Sequence, residues 1–124
     1  YSVKYMQTTK YETLAIRFQP ETPIDLSNYT HLVLRVKAYN GSSIVILLAT
    51  DGSNYFATPN LPIVNGKWME LKIPLTSLRV LSGNPVLNRI TYMTIYLKGV
   101  KANNTYTILF DGLYAYKEEY VIRG

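Results

Sequence analysis

Cysteine is absent from the 124 residues, which excludes disulfides and thiolate-bound metal and leaves the redox compartment open. Histidine occurs once, at position 31, so no pair of imidazoles stands at ligand spacing. Neither a G-x-S-x-G nucleophile motif nor a Gly-rich phosphate loop is present. The longest apolar run, IVILLA at 44–49, is strand-sized and far short of the roughly 18 residues of a membrane helix. Negative charge is scarce: eight carboxylates against 13 Lys and Arg give a net charge of +5. The basic residues are scattered, whereas nucleic-acid binders concentrate them on one element. We therefore expect neither a nucleic-acid partner nor a membrane one. The residues from Tyr1 onward also lack a signal-peptide pattern, which suits a mature or excised module.

The carboxylates are Glu12, Glu21, Asp25, Asp51, Glu70, Asp111, Glu118 and Glu119. A glycosidase needs two of them flanking a cleft. Most sit in turns, at motif ends or near the C-terminus, so catalysis is not expected. His31 falls on the polar side of its segment and is read as solvated.

What the chain has is hydrophobic content (48%) and tyrosine, 12 residues beside one Trp and three Phe. A chain of this size buries about two thirds of its unfolded surface and needs no covalent staples. The pattern is strand after strand. TLAIRF (13–18), HLVLRVKAY (31–39), KWMELKI (67–73) and ITYMTIYLK (90–98) alternate apolar with polar positions. SIVILLAT (43–50) is apolar on both faces, and TYTILFDGLYAY (105–116) breaks its alternation near Asp111–Gly112. Asn40–Gly41 is a strong hairpin signal, DGSN at 51–54 a second reversal before the strand YFAT, and VNGK at 64–67 a third. LTSLRVL (75–81) has room for one short helical turn. This spacing predicts a single all-β domain over 1–124, a sandwich or barrel.

The stretch NRITYMTIYLKG (88–99) places Met93, Ile95 and Leu97 on one face and Tyr92, Thr94, Tyr96 and Lys98 on the other. Two large rings therefore stand on the side expected to meet water. Such a pair serves equally well as a cross-strand cluster, worth about 0.2–1 kcal/mol, or as a stacking platform for a ligand.

Three segments in order, IDLSNYTHLVLRVKA (24–38), GKWMELKIPLTSL (66–78) and TYTILFDGLYAY (105–116), resemble the jelly-roll carbohydrate-binding modules of glycoside hydrolases, which share a galactose-binding-like fold. The likeness spans residues 13 to 116 and rests on structural motifs. It implies a β-sandwich jelly roll of two antiparallel sheets, with strands 13–19, 43–50, 54–59 and 90–98 in one concave, ligand-carrying sheet. On that basis Tyr92, Tyr96, Thr94, Lys98, Arg17, Gln19 and Tyr55 are the expected ligand-binding residues. Either Ile44–Ile46–Leu48 or Val45–Leu47–Ala49 would line the groove. The expected partner is a polysaccharide, a neutral β-glucan or related plant-type glycan, with uronic acids tolerated. Asp111 of the DGL motif stands where such modules hold a structural calcium, with Gln7, Glu12 or carbonyls as further oxygen ligands.

Pro74 should end a strand or sit at an edge, and Tyr29 and Trp68 should pack under loops. The module is expected to be extracellular and tethered to a catalytic or surface domain. Sequons at Asn28, Asn40 and Asn103 fit that setting, and high Tyr and Ile usage suits a thermophile. The rival reading is a structural or adhesive domain of a cell surface or virion. A protein-docking module using the apolar face of 43–50 is a second rival.

Overall fold

In a computed structural model, residues 3–8, 13–39, 41–99 and 105–118 are described, with side chains for 15–39, 41–99 and 107–118. β-Branched and aromatic residues in short alternating runs favour the pleated conformation. They form β1 (Val3–Thr8), β2 (Thr13–Phe18), β3 (His31–Tyr39), β4 (Ser43–Asp51), β5 (Asn54–Ala57), β6 (Leu61–Pro62), β7 (Met69–Pro74), β8 (Arg79–Ser82), β9 (Tyr92–Lys98) and β10 (Thr105–Tyr116). A 3-10 turn, Leu75–Ser77, follows β7. The sequence pattern did not single out β1 or the four-residue β8.

Two antiparallel sheets result, one in the order β1-β10-β3-β7 and the other β2-β9-β4-β5-β8, with β6 paired to β4. The chain passes from sheet to sheet between β1 and β2, β2 and β3, and β3 and β4. This is the jelly-roll β-sandwich expected from the sequence. The four strands assigned to one sheet do share it, and residues 31–39 lie in the other.

Period-two alternation decides what fills the core. From the first sheet come Leu32, Leu34, Val36 and Ala38 of β3, Leu71 and Ile73 of β7, and Ile108 and Phe110 of β10. Ile44, Ile46, Leu48, Met93, Ile95 and Leu97 meet them from the second sheet. Phe18 crosses the gap to Phe110 edge-to-face, with ring centroids 5.6 Å apart, a favoured aromatic geometry. Val33 departs from the simple alternation. It faces outward between its register partners Tyr114 and Lys72, yet is fully buried.

The motif residues now have physical roles. The Asp25 carboxylate accepts the Ser27 N–H at 2.8 Å, and Leu26 beside it is buried in the core. Ile24 exchanges backbone hydrogen bonds with Ile90, which seats the loop across the end of the sandwich. Pro74 ends β7 on a sheet edge, as expected, where its missing N–H costs no ladder bond. The break near Asp111 is a bulge, with the register against β3 shifting between Phe110 and Gly112. Tyr29, expected under a loop, is instead exposed, while Leu26 three residues earlier is the buried one.

Asn40–Gly41 does not close a hairpin, since β3 and β4 belong to different sheets; Asn40 itself lies outside the described residues. The glycine answers a packing requirement. A Cβ at Gly41 would collide with the Leu97 side chain, standing 2.7 Å from its Cγ, and Leu97 is fully buried. Gly41 N–H also donates to Asn65 Oδ1 at 3.0 Å, tying the crossover to the 64–67 turn. Gly41→Ala should therefore lower stability by about 1–3 kcal/mol, the usual cost of overpacking. The readout is a reduced urea midpoint at constant slope; an unchanged midpoint would show that Leu97 yields freely.

Candidate functional site

Burial of one side of β4 and β9 leaves the other side facing out. Antiparallel register then sets the outward residues in rows across the strands. One row runs Arg17, Thr94, Leu47, Ala57 and Arg79 over β2, β9, β4, β5 and β8. A second runs Tyr92, Ala49, Tyr55 and Ser82, and a third runs Ala15, Tyr96 and Val45. Lys98 follows Tyr96 along β9, paired with Ser43.

These rows form an open depression of 440 Å³ lined by Val45, Leu47, Tyr55, Ala57, Leu81, Tyr96 and Lys98. Its floor is aliphatic, and two half-buried tyrosines stand at diagonally opposite corners. From the strand geometry Tyr55 and Tyr96 are separated by about 10 Å across the strands and about 13 Å along them. The two-sided apolarity of β4 is thereby explained. Ile44, Ile46 and Leu48 are fully buried between the sheets, while Val45 and Leu47 floor the depression.

The structure separates residues that the sequence grouped. Tyr96, Lys98 and Tyr55 line the depression together. Tyr92 stands one row beyond Thr94 and carries the Arg17 guanidinium over its ring, 4.1 Å from the centroid. One ring face is thus occupied by a cation–π contact of about 0.5–1 kcal/mol. Thr94 is only 6% exposed, sits in register between Arg17 and Leu47, and is not among the residues lining the depression. Gln19 is not on this face. β2 ends at Phe18, and Gln19 lines a separate 260 Å³ pocket with Phe18, Pro20, Ile24, Met93 and Leu113 at the seam of the sheets. Strand alternation no longer governs a residue beyond the last paired one.

Leu81 and Arg79 were not foreseen, because they sit on the unrecognised strand β8. Both are exposed on an edge strand that follows the 3-10 turn directly. The available sequence signal was the short apolar pair Val80–Leu81 next to Arg79 and Ser82.

The sandwich has solved counterparts. PfGH50B superimposes with a TM-score of 0.67 at 14% identity, over 94% of this chain and 21% of that one. The agarase AgWH50C gives 0.63 at 11%, over 98% and 21%. The family 11 carbohydrate-binding module of the cellulosomal cellulase Lic26A-Cel5E of Clostridium thermocellum gives 0.57 at 10%, over 94% and 88%. At these identities the likeness is one of fold. The chain spans about a fifth of the length of the first two and most of the third. No protein-family model matches the chain, and no curated protein matches its sequence.

The opposite sheet is organised by pairs of its own. His31, expected to be solvated, is stacked on Tyr116 with centroids 4.8 Å apart and planes within 6°. Its Nδ1 is 2.8 Å from Thr30 Oγ1 and its Nε2 is 3.7 Å from Glu118. Trp68 is half-buried, with the Arg35 guanidinium 5.8 Å from its ring centroid. Asp111 receives Arg35 Nε at 3.2 Å on the bulge, so a cation there would have to displace a guanidinium. Among the described residues no group of three or more His, Cys, Asp or Glu gathers to hold a metal. The side chains of Gln7 and Glu12 lie outside the described residues, as do Asn103 and Glu119.

A larger depression of 640 Å³ at one end of the sandwich is lined by Tyr29, Thr30, His31, Pro74, Leu75, Thr76 and Leu87. It offers one exposed tyrosine ring, with the His31 ring already stacked on Tyr116. The β9 face offers two half-buried tyrosines across an aliphatic floor, together with long polar side chains.

The hairpin that carries Tyr55 is held by Asp51. Its Oδ1 accepts Ser53 N–H and Asn54 Nδ2, both at 2.8 Å, and Asn54 Oδ1 accepts Asn84 N–H at 2.7 Å. The Ser53 backbone N–H, and then the Asn54 amide, hold the Asp51 carboxyl below its ordinary value of 3.8. A depressed folded-state value stabilises the fold above the unfolded value and loses that contribution as pH falls through the folded one. Asp51→Ala should therefore lower Tm at neutral pH, with the gap to wild type closing as pH drops below 3.8. A pH-independent gap in thermal melts would assign the loss to something other than the carboxylate.

Proposed function

We propose that this chain is a noncatalytic carbohydrate-binding module that holds a polysaccharide along the outward face of the β2-β9-β4-β5-β8 sheet. The observation that carries the proposal is the pair Tyr96 and Tyr55 set across an aliphatic floor. Sugar rings present apolar C–H faces that stack on aromatic side chains, and equatorial hydroxyls that take hydrogen bonds from neighbouring polar groups. An open depression bounded by two rings accommodates a chain passing through, and the ends of a polymer need no enclosure. Lys98, Arg17 and the Tyr55 and Tyr96 hydroxyls supply hydrogen-bonding groups around it.

Hydrolysis of a glycosidic bond needs two carboxyl groups roughly 5–9.5 Å apart around the bond; among the described residues no carboxylate stands on this face, and the noncatalytic part of the reading is in keeping with that. The fold likeness supports the reading, since one solved counterpart is itself a carbohydrate-binding module over most of its length and another is part of an agarase. In this reading the module is extracellular and tethered to a catalytic or surface domain, where it raises the effective concentration of its partner at the polymer.

The test is affinity electrophoresis of the domain through gels containing cellulose derivatives, mixed-linkage β-glucan, agarose, carrageenan, xylan, mannan and pectin. Retardation by at least one polymer is expected. Tyr96→Ala should weaken it by roughly tenfold or more, the effect of losing a central aromatic anchor, with the circular-dichroism spectrum unchanged. Tyr92→Ala should cost less, because Arg17 already covers one face of that ring. Passage of the folded domain through every gel without retardation would remove the proposal in favour of a structural domain.

A further inference from the structure

Charge is not distributed evenly over the two sheets. The outward face of the β2-β9-β4-β5-β8 sheet carries Arg17, Lys98 and Arg79, and no described carboxylate shares it. The described carboxylates lie elsewhere, on loops and on the opposite sheet. Asp25 and Asp51 are closed into their own turns. Glu70, Asp111 and Glu118 sit against Lys72, Arg35 and His31 respectively. None of the three cations on the tyrosine face has a carboxylate partner among the described residues.

Their placement is specific. Arg17 and Arg79 terminate the same cross-strand row, with Thr94, Leu47 and Ala57 between them. Four inter-strand steps put them about 19 Å apart at opposite margins of the floor. Lys98 closes the end of the depression beyond Tyr96. Arg17 holds its guanidinium over the Tyr92 ring, with Cζ 4.1 Å from the centroid. A guanidinium is a planar fork of N–H donors matched to two oxygens of one anionic group.

We propose, resting on the carbohydrate reading above, that the polysaccharide this face takes is acidic, carrying sulfate esters or carboxylates, in place of the neutral glucan that the sequence resemblance implies. The two tyrosines bind the sugar rings. Arg17, Lys98 and Arg79 meet the anionic substituents at the margins of the floor, where no described carboxylate stands to engage them. Sulfated and carboxylated polymers present the same chemistry to these groups and differ in geometry, so both belong in the test.

The experiment measures dissociation constants by affinity electrophoresis on matched neutral and charged polymers. The pairs are agarose against carrageenan, hydroxyethyl cellulose against carboxymethyl cellulose, and methyl-esterified against de-esterified polygalacturonate. The domain carries a net charge of +5, so general attraction to polyanions is controlled by variants of equal charge. Arg17→Gln/Lys98→Gln/Arg79→Gln removes three cations from the face, and Lys37→Gln/Lys67→Gln/Lys72→Gln removes three from elsewhere. The expected result is retardation by the charged member of at least one pair, weakened about tenfold or more in the face variant and little changed in the other. Binding should also weaken between 0.05 and 0.5 M salt, as screening lengths shorten from about 14 to about 4 Å. Preference for the sulfated or the carboxylated pair identifies the source of the anion.

Equal or tighter binding to the neutral members overturns the inference and leaves the carbohydrate reading standing. Equal losses in the two variants also overturn it, assigning retardation to net charge alone. No retardation by any polymer removes the carbohydrate reading itself, and the inference with it.

Discussion

Burial of Ile44, Ile46 and Leu48 between the sheets is the constraint on which the rest of the molecule depends. All three are fully excluded from solvent, and they belong to β4, the middle strand of the path β2-β9-β4-β5-β8. A strand has a side-chain period of two, so fixing these residues inward fixes Val45 and Leu47 outward. The antiparallel register then carries that choice sideways to β9 and β5. A slip of one residue would bring Tyr92, Thr94, Tyr96 and Lys98 into the core and expose Met93, Ile95 and Leu97. The cost of burying a lysine among aliphatic side chains keeps that register out of reach. The open face is thus a consequence of core packing, held by residues that never touch it.

The margins of the sandwich show a second economy. Both sides of β4 are apolar, but one side is removed from water and the other is left as a floor. Exposed apolar surface carries an aggregation hazard on a flat sheet. Here the floor is bounded by Tyr55 and Tyr96 and by cations at its edges, which keep it hydrated and resist edge-to-edge contact. The same features suit a binding surface, in which an apolar centre with a polar rim is the usual anatomy.

Electrostatics divides the two sheets by use. On the β1-β10-β3-β7 sheet, Arg35 and Lys72 stand beside Asp111 and Glu70, and His31 and Trp68 are engaged with a ring or a guanidinium. Exposed pairs of this kind contribute little stability each, yet they set charges of both signs side by side on that surface. On the opposite face Arg17, Lys98 and Arg79 have no carboxylate partner among the described residues. Such a face holds a potential over the depression that a charged polymer would sense before contact. Asp111 belongs to the first pattern: a bulge re-aims its carboxylate toward Arg35.

Much of the architecture could be read from the residues. Strict alternation in 13–18, 31–39 and 90–98 announced half-buried strands, and the double-sided run at 43–50 announced a strand with work on both faces. The break at Asp111 and the turn at 75–77 were also visible, because each is a local property of the chain. The tyrosine pair on β9 could be named for the same reason. By itself the sequence determined the class of fold, the inward and outward residues of its long strands, and the unusual rings facing out. Tertiary structure decided which strands became neighbours. Only pairing puts Tyr55 diagonally opposite Tyr96, sets Arg17 over Tyr92, brings Arg79 into the row of Arg17 and takes Gln19 away to the seam. It also turned Asn40–Gly41 from a hairpin signal into a crossover whose glycine makes room for Leu97. Periodicity constrains one strand at a time, whereas a site assembled across five strands depends on registers that only the packing of the two sheets selects.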